Sequence, residues 1–325
     1  MTVLGIDIAK LTFDATLCFN TTRSHQSFPN TPAGFAALDD WLSQHGVTQV
    51  HACMEATNVY WEALAIWLHA RDHIVSVVNP ARIKGFAQAS MQRNKTDKLD
   101  SAMIAAFCAT HHPSAWEPLT EAQQHLRALV RHRDDLLQTR LQLHNRLRDT
   151  TNTFVRASLQ ALLDTLKAQM KEVEHQIAEH QAAHATLQAQ VTLLSSVIGI
   201  GVLTATKVLA ECGDLRSYAS AKAVVANVGV NASHYESGTS VRRKPRMSKI
   251  GNARVRAALY LPALTAMRCC AACKSFVERL RKRGKPIKVI IGAVMRKLLH
   301  AMYGVLKHQT PYDPAKAFGA VSPTT

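Results

Sequence analysis

From Leu119 to Ile198 the chain contains no glycine and no proline. The two residues that most readily end a helix are missing, so this stretch must be largely helical. Leu126, Leu129, Val130, Leu136, Leu137, Leu143 and Leu147 recur at helical spacing, and Leu159, Leu162, Leu163, Leu166, Met170, Val173 and Ile177 do so again further on. The pattern predicts two long helices, hinged near residues 149–154, that form a coiled-coil arm. A narrow apolar seam of this kind buries either against a partner chain or against the other helix of the same chain.

The arm separates two segments of different character. Ahead of it, strand and helix signals alternate. Val3 to Ile8 reads as a buried strand, Leu11 to Phe19 as extended, and Ser24 to Phe28 as a third strand. Thr31-Pro32 opens a helix to about His45. Strands at Val50 to Met54 and His73 to Val78 alternate with helices at Tyr60 to Ala70, Arg82 to Ala89 and Asp97 to about His111. This order predicts an α/β layer with a mixed sheet. Behind the arm, helices are expected at Ser220 to Val228, Asn252 to Met267, Cys273 to Arg283 and Lys288 to Leu306, then a loose tail. The expected domains are about 1–115, 116–190 and 191–310, with the tail at 311–325.

Hydrophobic residues make up 47% of the 325, enough for packed cores, and the net charge is +16. Between Glu236 and Asp313 the one acidic residue is Glu278, amid a dense run of Lys and Arg. A basic segment of this density predicts an acidic partner, nucleic acid above all. Cys269, Cys270 and Cys273 cluster without a second pair at zinc spacing, and read as buried thiols in a reducing compartment. The N-terminus has no basic leader, and no stretch reads as long and uncharged enough to span a bilayer. These features predict a cytoplasmic protein with no membrane partner.

Four carboxylates stand at places where chemistry is built. Asp7 ends the first strand in GIDIAK, Glu55 ends a later one in CMEAT, and Asp97 and Asp100 open a helix in NKTDKLD. Singly, each reads as a turn or cap residue. Together, strand ends lie side by side in an α/β layer, and Asp97 and Asp100 share one helix face. Such a cluster is costly unless cations neutralise it, and oxygen donors suit Mg²⁺ or Mn²⁺. Arg93, Lys95 and Lys98 lie close by in sequence to hold a phosphate backbone. Asp14 and Glu62 are alternative acids.

In the basic segment, Ser237-Gly238 and Thr239-Ser240 predict a hydroxyl-rich turn. A strip with Arg242, Arg243, Lys244, Arg246 and Lys249 follows, and Gly251-Asn252 leads into a helix carrying Arg254 and Arg256. A glycine turn at a helix start can face a phosphate. Taken by composition, this is a DNA-binding loop whose serines donate hydrogen bonds. Upstream, VIGIGVLTATKVLAE reads either as a helix–hairpin–helix whose Gly199 and Gly201 approach a phosphate, or as a plain helix cap and turn.

GID, the Glu of EAT, NKTDxxD and the later string YESGTS…SKIGN together resemble the DEDD-type insertion-sequence transposases, which include Piv-like invertases and bridge-RNA-guided recombinases. The resemblance implies a RuvC-like (RNase H-fold) catalytic domain, Mg²⁺ or Mn²⁺ on Asp7, Glu55, Asp97 and Asp100, and a mostly α transposase domain. It also implies that Ser237 is a nucleophile that stays joined to a phosphate during strand exchange. Ser240 is its nearest competitor, with Ser233 and Ser248 behind. Implied partners are double-stranded donor and target DNA, a structured guide RNA and further copies of the chain, as dimer or tetramer. The setting implied is the bacterial nucleoid. Aromatics are only 6%, which leaves base-stacking platforms sparse. The rival readings are a metal-dependent junction nuclease using water, and a non-catalytic nucleic-acid-binding protein.

Overall fold

The computed structural model describes residues 2–19, 22–57, 59–90, 97–237 and 241–318; at 97–98 and 234–245 the description is of the backbone alone. Arg93 and Lys95 therefore lie outside the described residues. The chain divides into two compact units, 1–118 and 119–325.

The first unit is a mixed sheet clothed by helices. Its elements are β1 (Val3–Ile8), β2 (Thr12–Phe19), β3 (Thr22–Pro29), α1 (Pro32–Gln44), β4 (His51–Glu55), α2 (Glu62–His69), β5 (Ile74–Val78), α3 (Pro80–Ala89) and α4 (Asp97–His111). The sheet order is β3-β2-β1-β4-β5. β1 pairs antiparallel with β2 and parallel with β4. This is compatible with an RNase H-like layer. Alternation along β1 divides two cores. Leu4, Ile6 and Ile8 pack with Phe35, Leu38 and Leu42 of α1 and Leu64 and Leu68 of α2. Val3 of β1 and Cys53 of β4 pack instead with Ile104, Phe107 and Cys108 of α4. The helices begin as their caps dictate: Thr31 accepts from the Gly34 amide at 3.3 Å, and Asn79 from Ala81 at 2.8 Å.

The second unit opens with α5 (Glu121–Asp149) and α6 (Thr153–Ala183). A Thr120–Gln123 capping box starts α5, and Asn152 caps α6. The seam is satisfied within the chain. Leu126, Val130 and Leu136 of α5 bury against Met170, Val173 and Ile177 of α6, in antiparallel order. Farther out the seam opens, with Leu141, Phe154 and Leu162 exposed.

After the arm come α7 (Ala185–Ser195), α8 (Val202–Cys212), α9 (Ala221–Val228), the hairpin β6 (Ala232–Ser237) and β7 (Val241–Met247), α10 (Ala253–Ala258), α11 (Tyr260–Cys269), α12 (Ala271–Lys282), α13 (Ile287–His308) and α14 (Pro314–Phe318). Three expectations change here. The residues around Ser237 form strands, not only a turn, with an irregular register between Ser233 and Tyr235 beside Pro245 that accommodates the missing amide. The helix expected from Asn252 to Met267 breaks at Leu259 into α10 and α11. The tail is not loose through residue 318: α14 docks, with Phe318 buried and its ring 5.7 Å from that of Phe276. Residues 319–325 lie outside the described ones.

Two smaller expectations also shift. Cys270 and Cys273 are buried, but Cys269 is exposed. Contrary to the bilayer expectation, α13 is long and apolar enough to cross a membrane. It is the core helix of the second unit, burying Ile290, Val294, Leu298 and Met302 among α9, α11 and α12.

Candidate active site

The position of Asp7 follows from strand alternation. It shares a face with Val3 and Gly5, the face covered by α4. The helix sits close because Gly5 has no side chain. A Cβ there would lie 2.2 Å from the Ser101 carbonyl oxygen and 2.3 Å from the Ala105 nitrogen. The Ser101 hydroxyl meets that of Thr16, the partner of Gly5 on β2, at 2.8 Å. At its other end α4 lies over the strand starts, where the Cys108 thiol reaches the His51 carbonyl at 3.9 Å. The helix therefore runs against β1, and its first turn, with Asp97 and Asp100, overlies the carboxyl ends of the strands.

Glu55 comes to the same end. β1 and β4 are in register from Val3 opposite His51 to Ile6 opposite Met54, so Asp7 and Glu55 each stand one residue further on. Cys53 packs on α4, and Glu55, two residues later, shares that face. Its carboxylate accepts a hydrogen bond from Thr57 at 3.0 Å. Asp7 lies about 7 Å along the strand from Gly5, the point of closest approach to α4. Asp7 and Asp100 are half-buried, and only the backbone of Asp97 is described.

One of the two alternative acids, Asp14, joins this face. Asp14 pairs directly opposite Asp7, and its carboxylate lies 3.1 Å from His25 Nε2. Directly opposed like charges destabilise a sheet unless a cation offsets them. The available signal was the alternation in TFDAT, which puts Asp14 in phase with Thr16. Glu62 opens α2, whose buried residues pack in the opposite core. Oxygen donors of this kind suit a hard divalent cation. Among the described residues no three acidic, His or Cys side chains are spaced to hold an ion. The Asp97 side chain is not among them.

In the second unit, Ser237 ends β6 and pairs with Val241 on β7. Glu236 pairs with Arg242 and Tyr235 with Arg243. Lys244 lies further along β7, and Ser240 falls outside the described residues. The hairpin stem is held through backbone bonds from Ser248 to Asn231 and from Lys249 to Gly229. Ser248 also caps its own turn, accepting from Ile250 at 3.1 Å. Ser233 and Arg246 form an exposed pair near the stem.

A transposase family model of the DEDD type matches residues 4–156, and the model described as Transposase IS116/IS110/IS902 family matches 191–278. The pilin gene-inverting protein of Moraxella bovis is 32% identical over 315 residues, covering 96% of this chain and 98% of that protein. The chain belongs to the IS110-type transposase family. Its counterpart in Moraxella lacunata matches equally, and a probable family 20 transposase of Pseudomonas aeruginosa is 28% identical over 96% of this chain. This transposase is thus a DNA recombinase, and one family model spans the acidic face while the other spans the serine hairpin.

Beside that hairpin, several residues expected to meet nucleic acid have structural work in this transposase. Asn252 caps α10, accepting from Val255 at 3.1 Å, and donates to Glu211 at 3.0 Å. Glu211 is buried and also receives two bonds from Arg131, at 2.8 and 3.1 Å. Burial would raise its pKa, but the bonds from Arg131 and Asn252 and the Arg131 charge outweigh it, leaving the carboxyl below its ordinary value. Gly251, at φ 136°, lies so close to the Asn227 carbonyl that a Cβ would approach to 2.1 Å. Arg256 donates to the Val228 carbonyl at 2.8 Å, and Arg254 faces Asp134 and Asp135 at 3.8 and 3.7 Å. Lys249 stays exposed, in a left-handed turn at φ 58°.

Gly199 and Gly201, the two glycines expected to approach a phosphate, differ. Gly199, at φ 82°, turns against Pro262, whose oxygen would lie 2.5 Å from a Cβ. Gly201 starts α8 with no side-chain cap and open space around it. The first amides of α8 are therefore free of a side-chain acceptor at Gly201.

Proposed function

We propose that this transposase cuts and rejoins double-stranded donor and target DNA through a covalent phosphoserine at Ser237, assisted by Mg²⁺ or Mn²⁺ on Asp7, Glu55, Asp97 and Asp100. The observation that carries the reading is the shared sheet face and strand end of Asp7 and Glu55, with the first turn of α4 laid over it. Divalent ions held there would polarise the scissile phosphate and lower the pKa of the attacking hydroxyl. The Ser237 oxygen forms a bond to phosphorus as the bond to a sugar oxygen breaks, and that oxygen leaves with a proton. The reverse step, with a sugar hydroxyl of the exchanged strand, restores the phosphodiester and the free serine. Bond energy is retained throughout, so rejoining needs no nucleotide cofactor.

The name of the Moraxella relatives describes gene inversion. Inversion requires cut ends to be held and rejoined, which suits a covalent intermediate. In this reading a structured guide RNA selects the site by base pairing, and the protein supplies backbone contacts. Ser237 meets the acidic face within a dimer or tetramer, bridged by coiled-coil contacts of the arm, in the cytoplasm at the nucleoid. The exposed outer seam at Leu141, Phe154 and Leu162 is apolar surface suited to such contacts. Of the expected nucleic-acid contacts among the described residues, Gly201, Arg246 and Lys249 are best free to touch phosphates.

The test is strand exchange between linear donor and target duplexes with the co-purified RNA. Recombinant strands are expected with Mg²⁺ and no ATP, and EDTA should abolish them. Hydrolysed ends alone would favour water attack and sink the serine chemistry.

A further inference from the structure

Cations of the second unit differ in whether a carboxylate faces them. Four cations on the side of the arm are neutralised: Arg131 by Glu211, Arg133 by Glu174, and Lys207 and Arg254 by Asp134. Those on α11 and α12 are not. Arg268, Lys274, Arg279, Arg281, Lys282 and Arg283 are all exposed, and among the described residues none has a carboxylate within ion-pair distance.

These six cations line two adjoining hollows, of about 510 and 350 Å³, that share Glu278. The larger has an apolar floor of Leu264, Met267 and Val277, walled by Arg268, Lys274 and Arg281. The smaller is ringed by Arg279, Lys282 and Arg283. Like charges gathered this closely repel one another, and one glutamate does not offset six cations. α12 is 12 residues long, or about 18 Å. A duplex presents on the order of ten phosphate charges over that length.

We infer that the α11–α12 face is a docking surface for the phosphate backbone of a nucleic-acid duplex, engaged by charge without base readout. The proposed function enters only in choosing nucleic acid over another polyanion. The surface lies apart in sequence from the β6–β7 strip, and its cations are available where Arg254 and Arg256 are already engaged.

The test uses the full-length protein and measures binding to a DNA duplex and to an RNA duplex across a salt series. Arg279→Gln, Arg281→Gln and Arg283→Gln combined should make the plot of log affinity against log salt shallower by about 2–3, since each lost phosphate contact removes about 0.9 on DNA. Arg254→Gln, which removes a neutralised cation, should leave the slope unchanged. Loss on one duplex alone assigns the surface to that nucleic acid. A wild-type slope for the triple variant on both duplexes overturns the inference. So does a variant that loses only its binding to polyglutamate, or an Arg254→Gln slope as shallow as that of the triple variant. Ser237→Ala should keep the wild-type slope, so failure of the serine chemistry would leave this result readable.

Discussion

Ser237→Ala should yield no covalent protein–DNA adduct on a denaturing gel, while nucleic-acid binding stays at the wild-type level. The change removes one hydroxyl at the end of β6, where the backbone pairing with Val241 does not depend on the side chain. Alanine suits an extended backbone, so the hairpin should persist. The cations proposed to bind phosphates, on β7 and on the α11–α12 face, are untouched. Loss of a covalent nucleophile costs on the order of 10⁶-fold in rate, far outside any effect of a removed hydrogen bond. An adduct that survives and maps to Ser240 by mass spectrometry moves the nucleophile three residues along. An adduct on neither serine ends the covalent reading.

Glu211→Ala should be the most destabilising single change at the serine-bearing unit. The substitution removes the buried carboxylate that accepts two bonds from Arg131 and the acceptor that ties Asn252 to α8. Breaking a buried pair from one side costs about 3–5 kcal/mol, because the remaining charge is left uncompensated. For a unit of this size that is a fall of roughly 6–20 °C in the unfolding midpoint. The same pair sets an acid limit. With the Glu211 pKa held below its unfolded value, its contribution is full above about pH 4.5 and fades as the pH falls through the folded value. Thermal unfolding followed by circular dichroism at pH 7 and pH 4 checks both points. A midpoint shift below about 2 °C at pH 7 would contradict the account.

The first unit was readable because its chemistry is local. Each strand carries its own alternation, and Thr31-Pro32 and Asn79-Pro80 mark helix starts in the chain itself. The carboxylates were visible for the same reason, each sitting where a periodic segment stops. Asp14 could be named only as an alternative, because its closeness to Asp7 depends on the antiparallel register of β1 and β2, which no single residue reports. The β6–β7 hairpin was missed since RRKPR carries neither apolar alternation nor β-branched residues beyond Val241. Its strands are held by Gly229, Asn231 and the backbone around Lys249, contacts that arise only after α9 and the loop have met. The intramolecular partners of Arg254 and Arg256 were hidden for a related reason. A sequence counts cations, but their carboxylate or carbonyl partners lie far away along the chain, at Asp134 and Val228.

In the proposed mechanism the acids of the first unit and the serine of the second serve one step. Asp7→Asn keeps the shape of the side chain and removes its charge, and Ser237 remains in place. With donor duplex, RNA and Mg²⁺, phosphoserine at Ser237 should be undetectable in this variant by peptide mass spectrometry, although the wild-type protein forms it. Phosphoserine at Ser237 accumulating to wild-type levels in Asp7→Asn would show that the serine works without the acidic face.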